Sequence, residues 1–182
     1  MADDIDVQLD EERRSDAVGE RELVGQAREG DRDAFGQLFR TYYPAIYRMA
    51  RAGLGDGADD VASETFLRAW GALPRYRETG APFAAWLHGI ARHVIVDELR
   101  RRSRSEPRDH VDPGAFEHHH EDRLALWAAL ETLPQEQRQV LELKFFLGLT
   151  NDEVGAALGK GAGAVNTQRW RALQALRKVI ER

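Results

Sequence analysis

Apolar residues recur at intervals of three and four along most of this chain, and no stretch alternates apolar and polar positions long enough to build a sheet. The pattern predicts an all-α protein. Ala34, Phe35, Leu38, Phe39, Tyr42, Tyr43, Ile46, Tyr47, Met49 and Ala50 form one broad stripe that reads as core. Gly53, Gly55 and Gly57 then break the chain, and Asp59-Asp60 opens a second helix, where negative charge near the N-terminus is favoured by the helix dipole. Along it run Val61, Glu64, Thr65, Phe66, Leu67, Ala69 and Trp70. Residues 75–82 mix cations, an aromatic and turn formers, and Phe83, Trp86 and Leu87 stand at the entry to a further helix. That helix ends in Arg100-Arg101-Arg102, a charge that suits a helix C-terminus on dipole grounds alone.

Two gaps in the periodicity divide the chain. Residues 1–20 hold few large apolar side chains and read as a disordered acidic tail. Residues 103–121 carry Pro107, Pro113, Gly114 and charges of both signs, and read as a flexible linker. Two small helical domains are therefore expected, over 21–102 and 122–182. The run His118-His119-His120 falls in the linker, where adjacent side chains diverge and nothing holds them to a metal, so it reads as solvated chain and no metal site is assigned.

The third segment carries the chemistry. Pro134 suits the first turn of a helix containing Val140, Leu141 and Phe145, and Gly148 suits its end. Thr150-Asn151-Asp152-Glu153 follows the S/T-x-x-E pattern, in which the Thr150 hydroxyl and the Glu153 carboxylate each satisfy a backbone N–H of the other. A short helix from about Asn151 then meets Gly159-Lys160-Gly161-Ala162-Gly163, a turn rich in residues that tolerate positive φ. The last helix, to about Ile180, places Val165, Ala172, Leu176, Val179 and Ile180 on one side. Its other side carries Asn166, Thr167, Trp170, Arg171, Gln174, Arg177 and Lys178, which can bond base edges and phosphates. From Lys160 to Arg182 six Lys or Arg stand against one acid, a local charge of +5. A basic helix alone could be the solvated face of an ordinary bundle; joined to a capping box and a Gly turn it predicts a DNA-binding helix-turn-helix.

Composition narrows the classes. With 182 residues, 42% hydrophobic and 31% charged, the chain has room for one or two small soluble domains. It has no apolar run approaching the roughly twenty residues of a membrane span, so no membrane insertion is expected. Without Cys there is no disulfide framework, and the acidic start is unlike a signal peptide, which makes the cytoplasm the default location. The net charge of −5 hides an uneven distribution: residues 1–22 hold nine acids and three arginines, so the remainder carries +1. No nucleophile-base-acid set, phosphate-binding Gly loop or paired carboxylates in a cleft are visible, so neither an enzyme nor a cofactor is predicted.

The residues also carry a family resemblance. Asp59-Asp60-Val61-Ala62-Ser63-Glu64-Thr65-Phe66-Leu67-Arg68-Ala69-Trp70, Phe83-Ala84-Ala85-Trp86-Leu87-His88-Gly89-Ile90-Ala91-Arg92 and Asp97-Glu98-Leu99-Arg100-Arg101-Arg102 resemble region two of extracytoplasmic-function sigma factors. Leu133-Pro134, Gly148-Leu149-Thr150 with Glu153-Val154, and Gly163-Ala164-Val165 with Arg171-Ala172-Leu173 resemble their region four. The resemblance implies a bacterial transcription initiation factor that binds core RNA polymerase and directs it to promoter DNA, with an anti-sigma factor as a candidate further partner. It implies polymerase contact by Asp60, Glu64 and Phe66, although burial in the domain's own core is an equal claim on Phe66 and Trp70. It implies promoter opening by Arg75, Tyr76, Phe83, Trp86 and Arg92, with Trp86 reading more readily as core. Lys160, Asn166, Thr167, Trp170, Arg171 and Lys178 are the expected helix-turn-helix DNA contacts. Ala62-Ser63 and Asn166 depart from the residues common in the family. Two other classes would share the C-terminal half: a stand-alone helix-turn-helix regulator acting without polymerase, and a protein that mimics sigma surfaces without initiating transcription.

Overall fold

The computed structural model describes residues 19–104 and 125–180. The remaining residues, with most of the acidic tail, most of the linker and His118-His119-His120, lie outside the described residues. Helical residues 19–28 (α1) are followed by α2 (Arg32–Leu54), α3 (Ala58–Ala72), a single 3-10 turn (Leu73–Arg75) and α4 (Phe83–Arg104). The C-terminal part comprises helical residues 125–131 (α5), α6 (Gln135–Phe145), α7 (Asn151–Leu158) and α8 (Ala162–Ile180). Among the described residues there is no strand.

Local signals set most boundaries. Asp31 caps α2 by accepting from the backbone N–H of Asp33 and Ala34 at 2.8 and 3.0 Å. Gly55 and Gly57, at φ 67° and 79°, turn the chain from α2 into α3, a left-handed backbone that favours glycine. Gly53, expected to break the chain, instead lies inside α2. A Cβ there would come within 2.9 Å of Ile95 and 3.1 Å of the Trp127 ring, so it is glycine for packing. Ser103 and Arg104, expected in the linker, complete α4. Glu20, expected in the tail, is helical and accepts a hydrogen bond from the Phe83 backbone N–H at 3.1 Å and another from the Tyr42 hydroxyl. The arginine cluster closing α4 has a structural use: Arg102 donates to the carbonyls of Leu54 and Asp56 at 3.1 and 2.6 Å, satisfying the end of α2.

The two domains expected to be joined only by a linker are packed on each other. Trp127 of α5 belongs to the N-terminal core with Ile46, Met49, Leu87 and Ile95, while Ala84 of α4 belongs to a C-terminal cluster with Val140, Leu143, Val154 and Val165. Arg48 donates to the Phe146 carbonyl at 3.2 Å across the same seam.

Candidate nucleic-acid interface

The helix-turn-helix forms as its sequence predicts. The Thr150 Oγ1 accepts from the Glu153 N–H at 3.2 Å, and the Glu153 carboxylate accepts from the Thr150 N–H at 2.6 Å, which pins the start of α7. Gly159, at φ 65°, ends it. The turn is tight: a Cβ on Gly155 would lie 2.4 Å from the Lys160 carbonyl oxygen, so only glycine lets the chain fold back. Val165, Ala172 and Leu176 bury the inner side of α8. Val179 and Ile180, expected with them, are exposed, as is Phe145 at the end of α6.

Along the outer side of α8, Asn166, Thr167, Trp170, Arg171 and Lys178 are all exposed, and Trp170 is 63% accessible. The indole among amides and cations offers a flat apolar face for stacking or for methyl contact in a groove. Arg169 donates to the Asn166 side-chain carbonyl at 2.7 Å, and the Thr167 hydroxyl donates to the Gly163 carbonyl at 3.0 Å. Lys160 is half-buried and paired with Glu136 at 3.1 Å, tying the turn to α6.

The residues expected to open the promoter divide by burial. Tyr76 and Phe83 are buried, with ring centroids 5.7 Å apart, and Trp86 packs on both at 5.0 and 5.2 Å. Burial, with the nearby Glu20 and Glu78 carboxylates, raises the Tyr76 hydroxyl above its usual range. Arg75 is exposed. Arg92 points into the domain seam: its Nη1 donates to Glu142 at 2.5 Å and its Nη2 to Glu131 at 2.6 Å.

On α3 the expected polymerase-facing residues also separate. Asp60 is exposed and Glu64 half-buried, but Phe66 is only 3% accessible and packs on Phe39 and Tyr43 at 4.7 and 6.1 Å between ring centroids. The exposed apolar side chain is its neighbour Leu67, at 68%. Leu67 stands seven residues after Asp60, four after Ser63 and three after Glu64, so helical phase alone placed it on the acidic face. Arg68 borders this face, 2.7 Å from Glu64 and 3.3 Å from Asp97 of α4. Among the described residues no His, Cys, Asp or Glu group could hold a metal ion.

Residues 38–105 match the Sigma-70 region 2 family and residues 123–176 the Sigma-70, region 4 family. The chain is 37% identical over 174 residues to the ECF RNA polymerase sigma factor SigD of Mycobacterium tuberculosis, covering 87% of this chain and 82% of that one. It is 35% identical to the ECF RNA polymerase sigma factor ShbA of Streptomyces griseus, covering 87% of this chain and 94% of ShbA. Among solved structures, CnrH in complex with the cytosolic domain of CnrY aligns with a TM-score of 0.63 at 28% identity, over 90% of this chain and 97% of that one.

Proposed function

The chain belongs to the extracytoplasmic-function RNA polymerase sigma factors, and from that premise we propose how its surfaces divide the work of initiation. It binds core RNA polymerase and directs it to promoters. The C-terminal domain reads the more distal promoter element through α8, using Asn166, Thr167, Trp170, Arg171 and Lys178, with Lys160 at the turn. The N-terminal domain recognises and opens the element nearer the start site through the 75–83 segment and α4, using the exposed Arg75, with Trp86, and Arg92 once it is released from the seam, while Tyr76 and Phe83 hold their support. Core polymerase docks on the exposed face of α3, on Asp60, Glu64 and Leu67, with Phe66 beneath as the packing that stiffens it. An apolar side chain ringed by carboxylates suits a basic helical partner. Catalysis belongs to the polymerase, and the site of action is the cytoplasm; among the described residues no helix is long and apolar enough to cross a membrane. An anti-sigma factor is a further partner by likeness to the CnrH–CnrY complex.

The observation that carries the proposal is the joint presence, in one chain, of the acidic α3 face and a capped helix-turn-helix whose outer side stays open. A stand-alone regulator would need only the second. The test is an electrophoretic mobility assay on genomic fragments with factor alone, core polymerase alone and both. Retention of a specific subset of fragments only when both are present supports the proposal; the same fragments retained by factor alone would refute it.

A further inference from the structure

The stripe of α4 that carries Arg92 is covered by the C-terminal domain. Ala84, His88, Arg92 and Ile95 follow one another at steps of four, four and three residues and so share a face. Ala84 is buried against Val140 and Leu143 of α6, and Ile95 converges with Trp127 of α5 on the space left at Gly53. Between them lies a charge cluster. The Glu142 carboxylate is 0% accessible, and its two oxygens have separate partners, His88 Nε2 at 2.9 Å and Arg92 Nη1 at 2.5 Å. The other Arg92 nitrogen donates to Glu131, whose second oxygen accepts from Arg138 at 3.0 Å, and the guanidinium lies 5.6 Å from the Trp127 ring.

His88 and Arg92 both come from the other domain. On its own helix the buried neighbours of Glu142 are Val140, Leu141 and Leu143, and Arg138, one turn before it, is turned to Glu131 at 3.0 Å. A buried carboxylate without partners is strongly disfavoured, and a well-packed apolar residue would usually hold a permanent interface as well or better. A charged residue at that position makes sense for a seam that opens, because it is hydrated when the domains part and paired when they close. What it holds is also informative. A guanidinium forks onto carboxylate and phosphate with the same geometry, so Glu142 and Glu131 occupy the donors that a phosphate backbone would take.

We propose that Glu142, with Glu131, is an intramolecular substitute for promoter phosphate: it holds Arg92 in the free factor, keeps α6 closed over α4, and is displaced when Arg92 engages DNA. This rests on the sigma-factor reading of α4 and adds the means by which the free protein is kept from DNA. Nucleic acid and Glu142 compete for one cation, so closure and binding by the N-terminal domain exclude each other.

The chain lacks cysteine, so cysteines placed at the exposed Gly71 and Gln174 can carry a donor and an acceptor dye on opposite domains of the full chain. Single-molecule energy transfer is recorded for the parent, Glu142→Gln and His88→Ala, alone and with a short duplex of arbitrary sequence. Loss of a charge-assisted hydrogen bond predicts an open population raised by about tenfold or more in Glu142→Gln. The same variant should bind the duplex more tightly, and duplex should open the parent. His88→Ala removes the other partner without touching α6, and decides the matter if Glu142→Gln loses helix content. The duplex arm is run in an Arg171→Ala background, which weakens binding through the open side of α8; unchanged distance distributions in the folded variants, or duplex bound by this background while it remains closed, would overturn the proposal. Initiation by the parent with core polymerase is read separately: its failure would sink the sigma reading, whereas working initiation with unchanged distributions would sink only the latch.

Discussion

Replacing Phe66 and Leu67 one at a time separates a core side chain from a docking side chain on adjacent residues. Phe66 is almost wholly buried, with the rings of Phe39, Tyr43 and Phe35 at 4.7, 6.1 and 6.3 Å from its own. Truncation to alanine removes that burial and leaves a cavity between α2 and α3 whose walls are themselves bulky rings. Such a change costs about 3–5 kcal/mol. For a chain of this size each kcal/mol shifts the unfolding midpoint by roughly 2–4 °C, so Phe66→Ala should lower it by about 6–20 °C. Leu67 is exposed, and Leu67→Ala should change stability by no more than about 0.5 kcal/mol. If Leu67 is the apolar anchor for core polymerase, its loss should weaken binding by about 1–2 kcal/mol, or roughly 5- to 30-fold. Melts followed by circular dichroism at 222 nm, and anisotropy titrations of labelled factor with core polymerase well below the variants' midpoints, measure the two effects. A Phe66→Ala protein with the parental midpoint but impaired polymerase binding would refute the assignment, as would a Leu67→Ala protein that binds normally.

Three further outcomes follow from other parts of the structure. Arg171→Ala should weaken binding of the factor–polymerase complex to promoter DNA and reduce the slope of log affinity against log salt by about one, with helix content unchanged; an unaltered slope would remove Arg171 from the phosphate contacts. Gly155→Ala forces a methyl onto the Lys160 carbonyl oxygen, only 2.4 Å from where its Cβ would sit, so it should disrupt the α7–α8 turn and abolish distal-element recognition while leaving polymerase binding intact, as competition binding would show. The Glu98 carboxyl is held down to about 2, chiefly by a hydrogen bond from Arg101 and with help from Arg102 against partial burial. A carboxyl depressed from its ordinary 4.5 stabilises the fold above that value and loses the contribution as pH falls toward 2, so the stability gap between parent and Glu98→Gln should narrow across that window. A gap independent of pH in thermal melts would contradict it.

Much of this was legible because it is local. The Thr150–Glu153 capping box, the Gly159 turn, the opening of α3 near Asp59 and the buried Val165, Ala172 and Leu176 all follow from spacing within one or two helical turns. Val179 and Ile180 were expected on the inner side but are exposed, because periodicity says which side of a helix is apolar and not how far the partner helices extend along it. Leu67 was within reach of the helical-phase argument, but the aromatic beside it drew the assignment. Glu142 and His88 were out of reach. Binary patterning reads a charged or polar residue as solvent-facing, and only a helix fifty-four residues away in sequence buries this pair. Gly53 belongs to the same class: it looks like a chain breaker, and it is small because Ile95 and Trp127, far along the chain, pack over it.

The central claim, that this chain makes core polymerase start at promoters, is tested most directly by run-off transcription from pooled genomic fragments. Core polymerase alone, factor alone and the two together are compared, with Arg171→Ala and Leu67→Ala as variants. Discrete transcripts that require both components, and that fall with either variant, are the predicted result. Transcripts of the same pattern and yield from core polymerase alone, or no initiation from any fragment with both components active and bound to each other, would contradict it.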